Sequence, residues 1–166
     1  CSGVNGYAYE LTADVALDGP GVTVKWMLKN TGEKKLVSNN YVHNFFRFDD
    51  RNVGPEYVLS FPYDYTPTGL GEEQSVKGRE IHFEKEIPKW INAEVPYPAK
   101  HDGADSFELR HTGDGLWIKG ATSIPGTRTA LHATRTHVCP EQFVHLEIEA
   151  GESKGWTRSY SFGAGE

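Results

Sequence analysis

The chain has 166 residues and a net charge of −6, with 12% aromatic residues and a single methionine. This length is sufficient for one domain with a hydrophobic core. The acidic balance argues against a nucleic-acid partner, because neutralising phosphates requires a basic surface. No segment approaches the ~20 consecutive apolar residues that span a bilayer, so we expect no membrane span.

The two cysteines, Cys1 and Cys139, are too few for a zinc cluster built from thiolates. They could form one disulfide, but the sequence leaves their distance in space open. The opening sequence Cys-Ser-Gly is compatible with a lipid-modified cysteine behind a cleaved secretion signal, in the bacterial periplasm or at the cell exterior. A start inside a longer protein is the alternative, and we favour it for the reason given below.

The first thirty residues predict a β-hairpin. In the segment YAYELTADVALD the large apolar residues share one parity, which is the period-2 pattern of a half-buried strand; they are Tyr7, Tyr9, Leu11, Val15 and Leu17. The turn sequence DGPG follows at Asp18 to Gly21. The next segment, VTVKWMLKN, alternates again, so two paired strands are expected on either side of the turn.

The remainder of the chain predicts short strands separated by turns rich in its 18 glycines and 9 prolines. The candidate strands are EYVLSF, REIHFEKEI, SFELRH, LWIKGATSI, TALHATRTHV, QFVHLEIEA and WTRSYSF. Residues 89–105 show no clear strand pattern and are predicted to form an excursion loop. The regular spacing predicts an all-β sandwich, organised as a single domain over residues 1–166.

The segment NNYVHNFFRFDD, residues 39–50, places a histidine among aromatic residues. If residues 41–48 form an extended strand, one face carries Tyr41, His43 and Phe45, and the other carries Val42, Asn44, Phe46 and Phe48. The first face is typical of surfaces that stack against the apolar side of a sugar ring. Taken alone, the segment slightly favours another interpretation, a buried imidazole bonded to a backbone carbonyl.

A second candidate cluster lies in ATRTHVCPEQF, where an extended backbone places Arg135, His137, Cys139 and Glu141 on one face. Pro140 makes a bend plausible within this run. Glu141 follows it at a strand junction, where side chains often point into a cleft. The alternative interpretation is a surface glutamate on a turn.

Three other chemistries find less support. Histidines that could supply a metal site are His132, His137 and His145, but they lack the close spacing of metal ligands. No G-x-S-x-G motif supports a serine nucleophile. The paired carboxylates of a glycoside hydrolase could join Glu141 to Asp49, Asp50 or Asp64, and nothing in the sequence selects one pair. Because the histidines lack this spacing, we predict no metal site.

Three segments occur in a characteristic order. LKNTGEKKLVSNNYVHNFF is similar to a strand and turn that lead into a T-N-H-x-Y-F motif, with His43 and Phe46 on the motif positions. VCPEQF is similar to an L-E-x-Q segment, with Glu141 on the glutamate. The closing segment IEAGESKGWTRSYSF is similar to P-G-E followed by Y-x-F, with Gly151, Glu152, Tyr160 and Phe162 in register. Together these segments resemble the aldose 1-epimerase (galactose mutarotase-like) superfamily, in a bacterial branch with Y-x-H-N-F-F and C-P-E.

The resemblance implies an all-β, antiparallel β-sandwich of the galactose mutarotase-like (supersandwich) type. It also implies that His43 is the general acid for the ring oxygen of a sugar and Glu141 the base for its anomeric hydroxyl. Opening a hemiacetal ring requires one proton delivered and one removed, which suits an imidazolium and a carboxylate. Tyr41, Arg135 and His137 would line the substrate site, and no cofactor is required.

Members of the superfamily are considerably longer than this chain, and their upstream portion supplies an arginine and another histidine. The chain is similar to about the C-terminal two-thirds, so its sandwich is expected to be truncated at the N-terminus. Such truncation should leave an apolar sheet face or edge unpaired, and the missing portion would be a partner. Asn44 departs from the usual motif, which leaves the sugar preference open.

Two functions compete with an aldose 1-epimerase-like isomerase. The first is a non-catalytic carbohydrate-binding domain of a larger carbohydrate-processing protein, since the fold also serves as an accessory domain. A mono- or oligosaccharide is the expected partner in both cases. The second is a structural domain whose aromatic face packs against a missing segment. If His43 and Glu141 face each other across about one sugar width, the enzyme is favoured, whereas opposite faces of the sheet would exclude it.

Overall fold

The computed structural model describes residues 3, 5–98 and 105–165. All regular secondary structure in these ranges is β-strand, which confirms the all-β prediction. The strands are β1 (Tyr9–Asp18), β2 (Gly21–Asn30), β3 (Leu36–Asn40), β4 (Tyr57–Ser60), β5 (Gln74–Lys77), β6 (Glu80–Phe83), β7 (Trp90–Pro96), β8 (Ser106–His111), β9 (Leu116–Thr122), β10 (Gly126–Thr134), β11 (Val138–Ile148) and β12 (Ser153–Ala164). The described residues include no helix that is long and apolar enough to cross a membrane.

The strands form two antiparallel sheets. The eight-stranded sheet has the order β1-β2-β12-β9-β8-β4-β6-β5, and the four-stranded sheet has the order β3-β11-β10-β7. The predicted hairpin is confirmed, because β1 and β2 pair along their whole length on either side of the DGPG turn. β12 lies between β2 and β9, so strands distant in the sequence are neighbours in the large sheet.

The main hydrophobic core is formed by both sheets, as expected for a sandwich. Leu59 and Leu109 from the large sheet and Val95 and Leu131 from the small sheet are at most 1% exposed. Each such side chain contributes about 1.5–3 kcal/mol through the apolar area it buries. A second cluster joins the sheets where β2 and β12 meet β11; its buried members are Leu28, Val144, Leu146, Ile148 and Trp156.

Part of the predicted excursion loop is a strand. Residues Trp90–Pro96 form β7, which pairs with β10 at the edge of the small sheet. Burial alternates strictly along β7, with Ile91, Ala93 and Val95 facing the core. The loop prediction was therefore wrong over β7, because Pro96 ends the strand instead of interrupting it. Residues 99–104 lie outside the described part of the chain.

The first strand is exposed along its whole length. Its apolar residues share one parity as predicted, but Val15 and Leu17 are 67% and 82% exposed. β1 is the outermost strand of the large sheet and pairs there with β2. The prediction of a half-buried strand was therefore wrong for β1, whereas the row of exposed apolar residues agrees with the expected unpaired apolar face or edge.

Gly120 provides a test of the packing between the sheets. It is the cross-strand partner of Phe107, and a Cβ at this position would lie 2.4 Å from two carbons of the phenylalanine ring. We expect Gly120→Ala to destabilise the fold by about 1–3 kcal/mol, because the buried ring must move within a packed core. Urea unfolding followed by tryptophan fluorescence measures the change.

The control is Gly54→Ala, whose Cβ would meet Glu86 Cγ at an ordinary 3.4 Å. It should lower the free energy of unfolding less than Gly120→Ala. Equal effects of the two substitutions would contradict the packing described for Phe107.

Candidate active site on the small sheet

The site lies where the chain leaves β3 and runs beside β11. Regular pairing ends at Asn40, and the next backbone pairing with β11 is at Phe46 and Val138, through two N–H···O bonds of 3.0 Å. In a strand, residues two apart direct their backbone groups to the same side, so Pro140, like Val138, faces residues 41–46. Pro140 has no N–H to donate to them. The strand predicted over residues 41–48 was therefore wrong except for the isolated bridge at Phe46, and Pro140 contributes to its absence because it cannot donate a ladder hydrogen bond.

The side chain of Asn44 bonds the backbone at this interruption. Its buried amide donates to the carbonyl oxygen of Pro140 at 2.9 Å, and its Oδ1 accepts from the Tyr160 hydroxyl at 2.8 Å. Burial raises the pKa of Tyr160, so this hydroxyl stays protonated and donates. Because Tyr160 belongs to β12, the two bonds tie residues 41–46 to both sheets.

Arg158 of β12 forms a second link between the sheets. The side chain is 1% exposed, and burial lowers its pKa. Its Nη2 donates to the carbonyl oxygen of Gln142 at 3.0 Å and to Oδ1 of Asn40 at 3.2 Å. Both ends of the interrupted pairing, at β3 and at β11, are therefore bonded to β12.

The alternation predicted for residues 41–48 persists without the ladder. Tyr41, His43 and Phe45 are exposed, and Asn44 and Phe48 are buried. The backbone therefore remains extended enough to separate the two faces, and the imidazole lies on the outer face. The interpretation of His43 as a buried core histidine was wrong.

His43 and Glu141, which are 98 residues apart in the sequence, are in direct contact. Nδ1–H of His43 donates to Oε1 of Glu141 at 2.5 Å. The glutamate side chain is 9% exposed and the histidine side chain 55%. The carboxylate is therefore buried and the imidazole solvent-accessible on the same face, which excludes the arrangement on opposite faces. The expected gap of about one sugar width is absent, because the two groups are in direct contact.

Cys139 adjoins this pair. Its Sγ donates to Oε1 of Glu141 at 3.4 Å. Burial and, to a lesser extent, Glu141 raise the pKa of the Cys139 thiol to about 12, so it is protonated at neutral pH. Cys139 is free with respect to the described residues, and its pairing with Cys1 concerns a residue outside them.

Aromatic rings surround the imidazole. Tyr41 meets His43 edge-on at 5.2 Å between ring centroids, and Phe45 stacks on it at 5.5 Å. Tyr41 also stacks on Phe143 of β11 at 4.2 Å. The Arg128 guanidinium lies over the Phe143 ring, 3.6 Å from its centroid. These contacts fix a row of rings across the small sheet.

Of the two remaining predicted residues, His137 contacts the aromatic cluster and Arg135 does not. His137 joins the cluster through Phe45, with ring centroids 4.8 Å apart. Burial and, secondly, the nearby His132 lower the pKa of His137, so its ring is neutral at pH 7. Arg135 forms an ion pair with Glu86 at 3.6 Å. The contacts that connect the other predicted residues do not include Arg135.

A polar row on β10 and β7 was missed from the sequence. Arg128 bonds both carboxylate oxygens of Glu94 at 2.6 Å, and Nδ1 of His132 meets the Asn92 side chain at 2.7 Å. The register places this row on the same face as Glu141, beside it on the neighbouring strand. The alternation in TALHAT was a usable signal, but it needed β7 to be recognised as a strand.

The structure does not bring together the residues of the histidine metal site or of the carboxylate pairs that the sequence allowed. His132 and His137 lie 5.6 Å apart between ring centroids, whereas His145 bonds Asn39 and Glu147. Within the described ranges, the one group of three metal-ligating side chains is His43, Cys139 and Glu141. The aspartates proposed as partners of Glu141 form ion pairs with arginines instead; the pairs are Asp49–Arg51, Asp50–Arg47 and Asp64–Arg79.

Comparisons with known proteins bear on the architecture. No protein-family model and no curated protein sequence matches the chain. The galactose mutarotase related enzyme from Lactobacillus acidophilus superimposes with a TM-score of 0.71 at 10% identity. The chain has the galactose mutarotase-like fold. A galactose mutarotase-like protein from Clostridium acetobutylicum superimposes with a TM-score of 0.68 at 8% identity, and the Slr1438 protein from Synechocystis sp. PCC 6803 with a TM-score of 0.70 at 12% identity.

The alignments cover nearly all of this chain and part of each relative. They include 95%, 96% and 96% of this chain, but 62%, 56% and 57% of the L. acidophilus, Synechocystis and C. acetobutylicum proteins respectively. The chain therefore spans a little over half the length of these three solved structures. At such low identities the likeness establishes the fold, and the activity must be argued from the site.

Asn44→Ala tests the bonds that hold residues 41–46. The substitution leaves the Pro140 carbonyl and the Tyr160 hydroxyl without their partner, so we expect the free energy of unfolding to fall by about 1–3 kcal/mol. Thermal and urea unfolding measure the loss. Asn39→Ala, which removes a bond to the exposed His145, should change it by less than ~0.5 kcal/mol. A loss no larger than that of the control would show that Asn44 is not a structural link.

Proposed function

We propose that His43 and Glu141 are the acid–base pair of a carbohydrate-active isomerase of the aldose 1-epimerase (mutarotase) type. The observation that supports this most directly is their hydrogen bond on an aromatic-lined surface. It joins a group that can deliver a proton to one that can accept a proton. The galactose mutarotase-like fold supports the family, and the residue pair supports the reaction.

The closeness of the pair suits the chemistry of a cyclic sugar. The anomeric hydroxyl oxygen and the ring oxygen are bonded to the same carbon, so the acid and the base must reach atoms that are close together. The imidazole of His43 is solvent-accessible, and we propose that rotation of its side chain makes room for a sugar above Glu141. A sugar entering this space would replace the direct bond with one contact to each residue.

The proposed reaction balances without a cofactor. Glu141 removes the proton of the anomeric hydroxyl, the imidazolium of His43 delivers a proton to the ring oxygen, and the bond between C1 and that oxygen breaks. Rotation about the C1–C2 bond then presents the other face of the aldehyde. As the ring closes, neutral His43 takes the hydroxyl proton and Glu141 returns its own to the carbonyl oxygen, which restores both residues.

The surrounding side chains suit a sugar ligand. The exposed rings of Tyr41 and Phe45 can stack against the apolar side of a pyranose, and the neutral His137 can hydrogen-bond to a hydroxyl. Arg135, which forms an ion pair with Glu86, remains only a proposed substrate contact. The polar row that includes Arg128 offers further hydrogen bonds on the same face.

The test is the rate of anomer interconversion, measured by polarimetry or NMR exchange with a panel of common aldoses. We expect His43→Ala and Glu141→Gln each to lower the catalysed rate at least about 100-fold, because each removes one proton-transfer step. His145→Ala, another exposed histidine near the same sheet, should retain the rate. Circular dichroism checks that every variant is folded.

No acceleration by the intact wild-type protein with any aldose would overturn the proposal. Equal losses in His145→Ala and His43→Ala would overturn the assignment of the acid.

A non-catalytic carbohydrate-binding domain is the second candidate. The exposure of the Tyr41 and Phe45 rings, 40% and 58%, favours it, because such rings bind sugars without any acid–base pair. Calorimetry that shows sugar binding without catalysed interconversion would select this function. Binding should then be weakened by Phe45→Ala and remain in Glu141→Gln.

A further inference from the structure

We propose that His43, Cys139 and Glu141 bind a borderline divalent cation such as Zn²⁺, at the position that the sugar would occupy. The three side chains alone support the binding, whereas its consequence, inhibition of anomer interconversion, rests on the proposed function.

The three side chains offer one nitrogen, one sulfur and one oxygen donor, all within 4.8 Å of one another. Cys139 and Glu141 are two residues apart on β11, so both point to the same face, and His43 approaches from residues 41–46. Two donors therefore belong to the rigid sheet, and the third is held by the Asn44 bonds.

The distances suit a tetrahedral ion. Zn²⁺ binds nitrogen and oxygen at about 2.0–2.2 Å and sulfur at about 2.3 Å, so its ligands lie roughly 3.3–3.7 Å apart. Sγ of Cys139 and Oε1 of Glu141 are already separated by 3.4 Å. The 2.5 Å contact between His43 and Glu141 must lengthen, which rotation of the accessible imidazole permits. The accessible side leaves a fourth ligand position for water.

The donor set also predicts which ions bind. A sulfur and an imidazole ligand favour Zn²⁺ and Co²⁺, whereas Mg²⁺ and Ca²⁺ prefer sites made of oxygen atoms. Binding requires the Cys139 thiolate, so the thiol proton is released to the buffer as the metal–sulfur bond forms. The bound ion occupies the lone pair of His43 and the carboxylate of Glu141. Neither residue can then exchange protons with a sugar.

Cobalt serves as the spectroscopic probe. Addition of Co²⁺ to the wild-type protein should produce a thiolate-to-cobalt charge-transfer band together with the visible bands of a tetrahedral site, and Zn²⁺ should abolish both. Cys139→Ser should lose the charge-transfer band and bind at least about 10-fold more weakly, which is the lower limit for losing even a second-shell partner. Excess Mg²⁺ should leave the spectrum unchanged.

Two variants serve as controls. Cys1→Ser should keep the charge-transfer band, since Cys1 is the second thiol of the chain. His145→Ala should bind Co²⁺ as tightly as the wild type, because His145 bonds Asn39 and Glu147 outside the cluster. A band that survives Cys139→Ser, or one that disappears in either control, would overturn the proposed site.

X-ray absorption of the zinc-loaded wild-type protein removes any dependence on how the variants fold. We expect one sulfur ligand at about 2.3 Å and two or three lighter ligands at about 2.0–2.2 Å. A first shell without sulfur would contradict the inference.

The two proposals fail in different ways. A cobalt spectrum from a protein that accelerates no sugar interconversion would support the metal site and overturn the epimerase. Interconversion that Zn²⁺ does not inhibit, in a protein without the cobalt spectrum, would overturn the metal site and leave the epimerase standing. Inhibition by Zn²⁺ that a chelator reverses would support both.

Discussion

Pro140 has no backbone N–H to donate, and the position of the candidate site follows from this constraint. Antiparallel pairing beside β11 stops at Asn40 and returns at Phe46, so residues 41–45 are free of the ladder while their backbone stays extended. The Asn44 amide bonds the carbonyl of the same proline. His43 thereby lies over Glu141, the residue that directly follows Pro140 within the interrupted stretch of β11.

Strand parity predicted which side chains of residues 41–48 are exposed. This prediction was correct although the predicted strand itself is not formed. Parity depends only on an extended backbone, whereas pairing depends on the neighbouring strand. The same distinction explains β1, whose alternation was correct although its burial was not, since burial requires an element packed against it. The local sequence pattern therefore predicted the direction in which a side chain points better than it predicted the burial of that side chain.

The meeting of His43 and Glu141 was expected from family resemblance, because no local pattern encodes a contact between residues so far apart. The row that includes Arg128 and Asn92 depends on the register of β7 against β10, which short-range alternation does not define. Glu141 is then the residue on which both proposals converge. Its carboxylate accepts a proton in one and a metal ion in the other, so sugar and cation would compete for a single oxygen donor.

The place of β12 in the large sheet has a consequence for the order of folding. β12 follows β2 and β9 in the sequence and inserts between them, so the sheet cannot become continuous until this late segment arrives. Such long-range pairing slows folding, because the loop-closure entropy is lost before the contacts form. Tyr160, which fixes Asn44, lies on this strand. The contact between His43 and Glu141 should therefore gain its geometry in one of the last steps, after most of the core has formed.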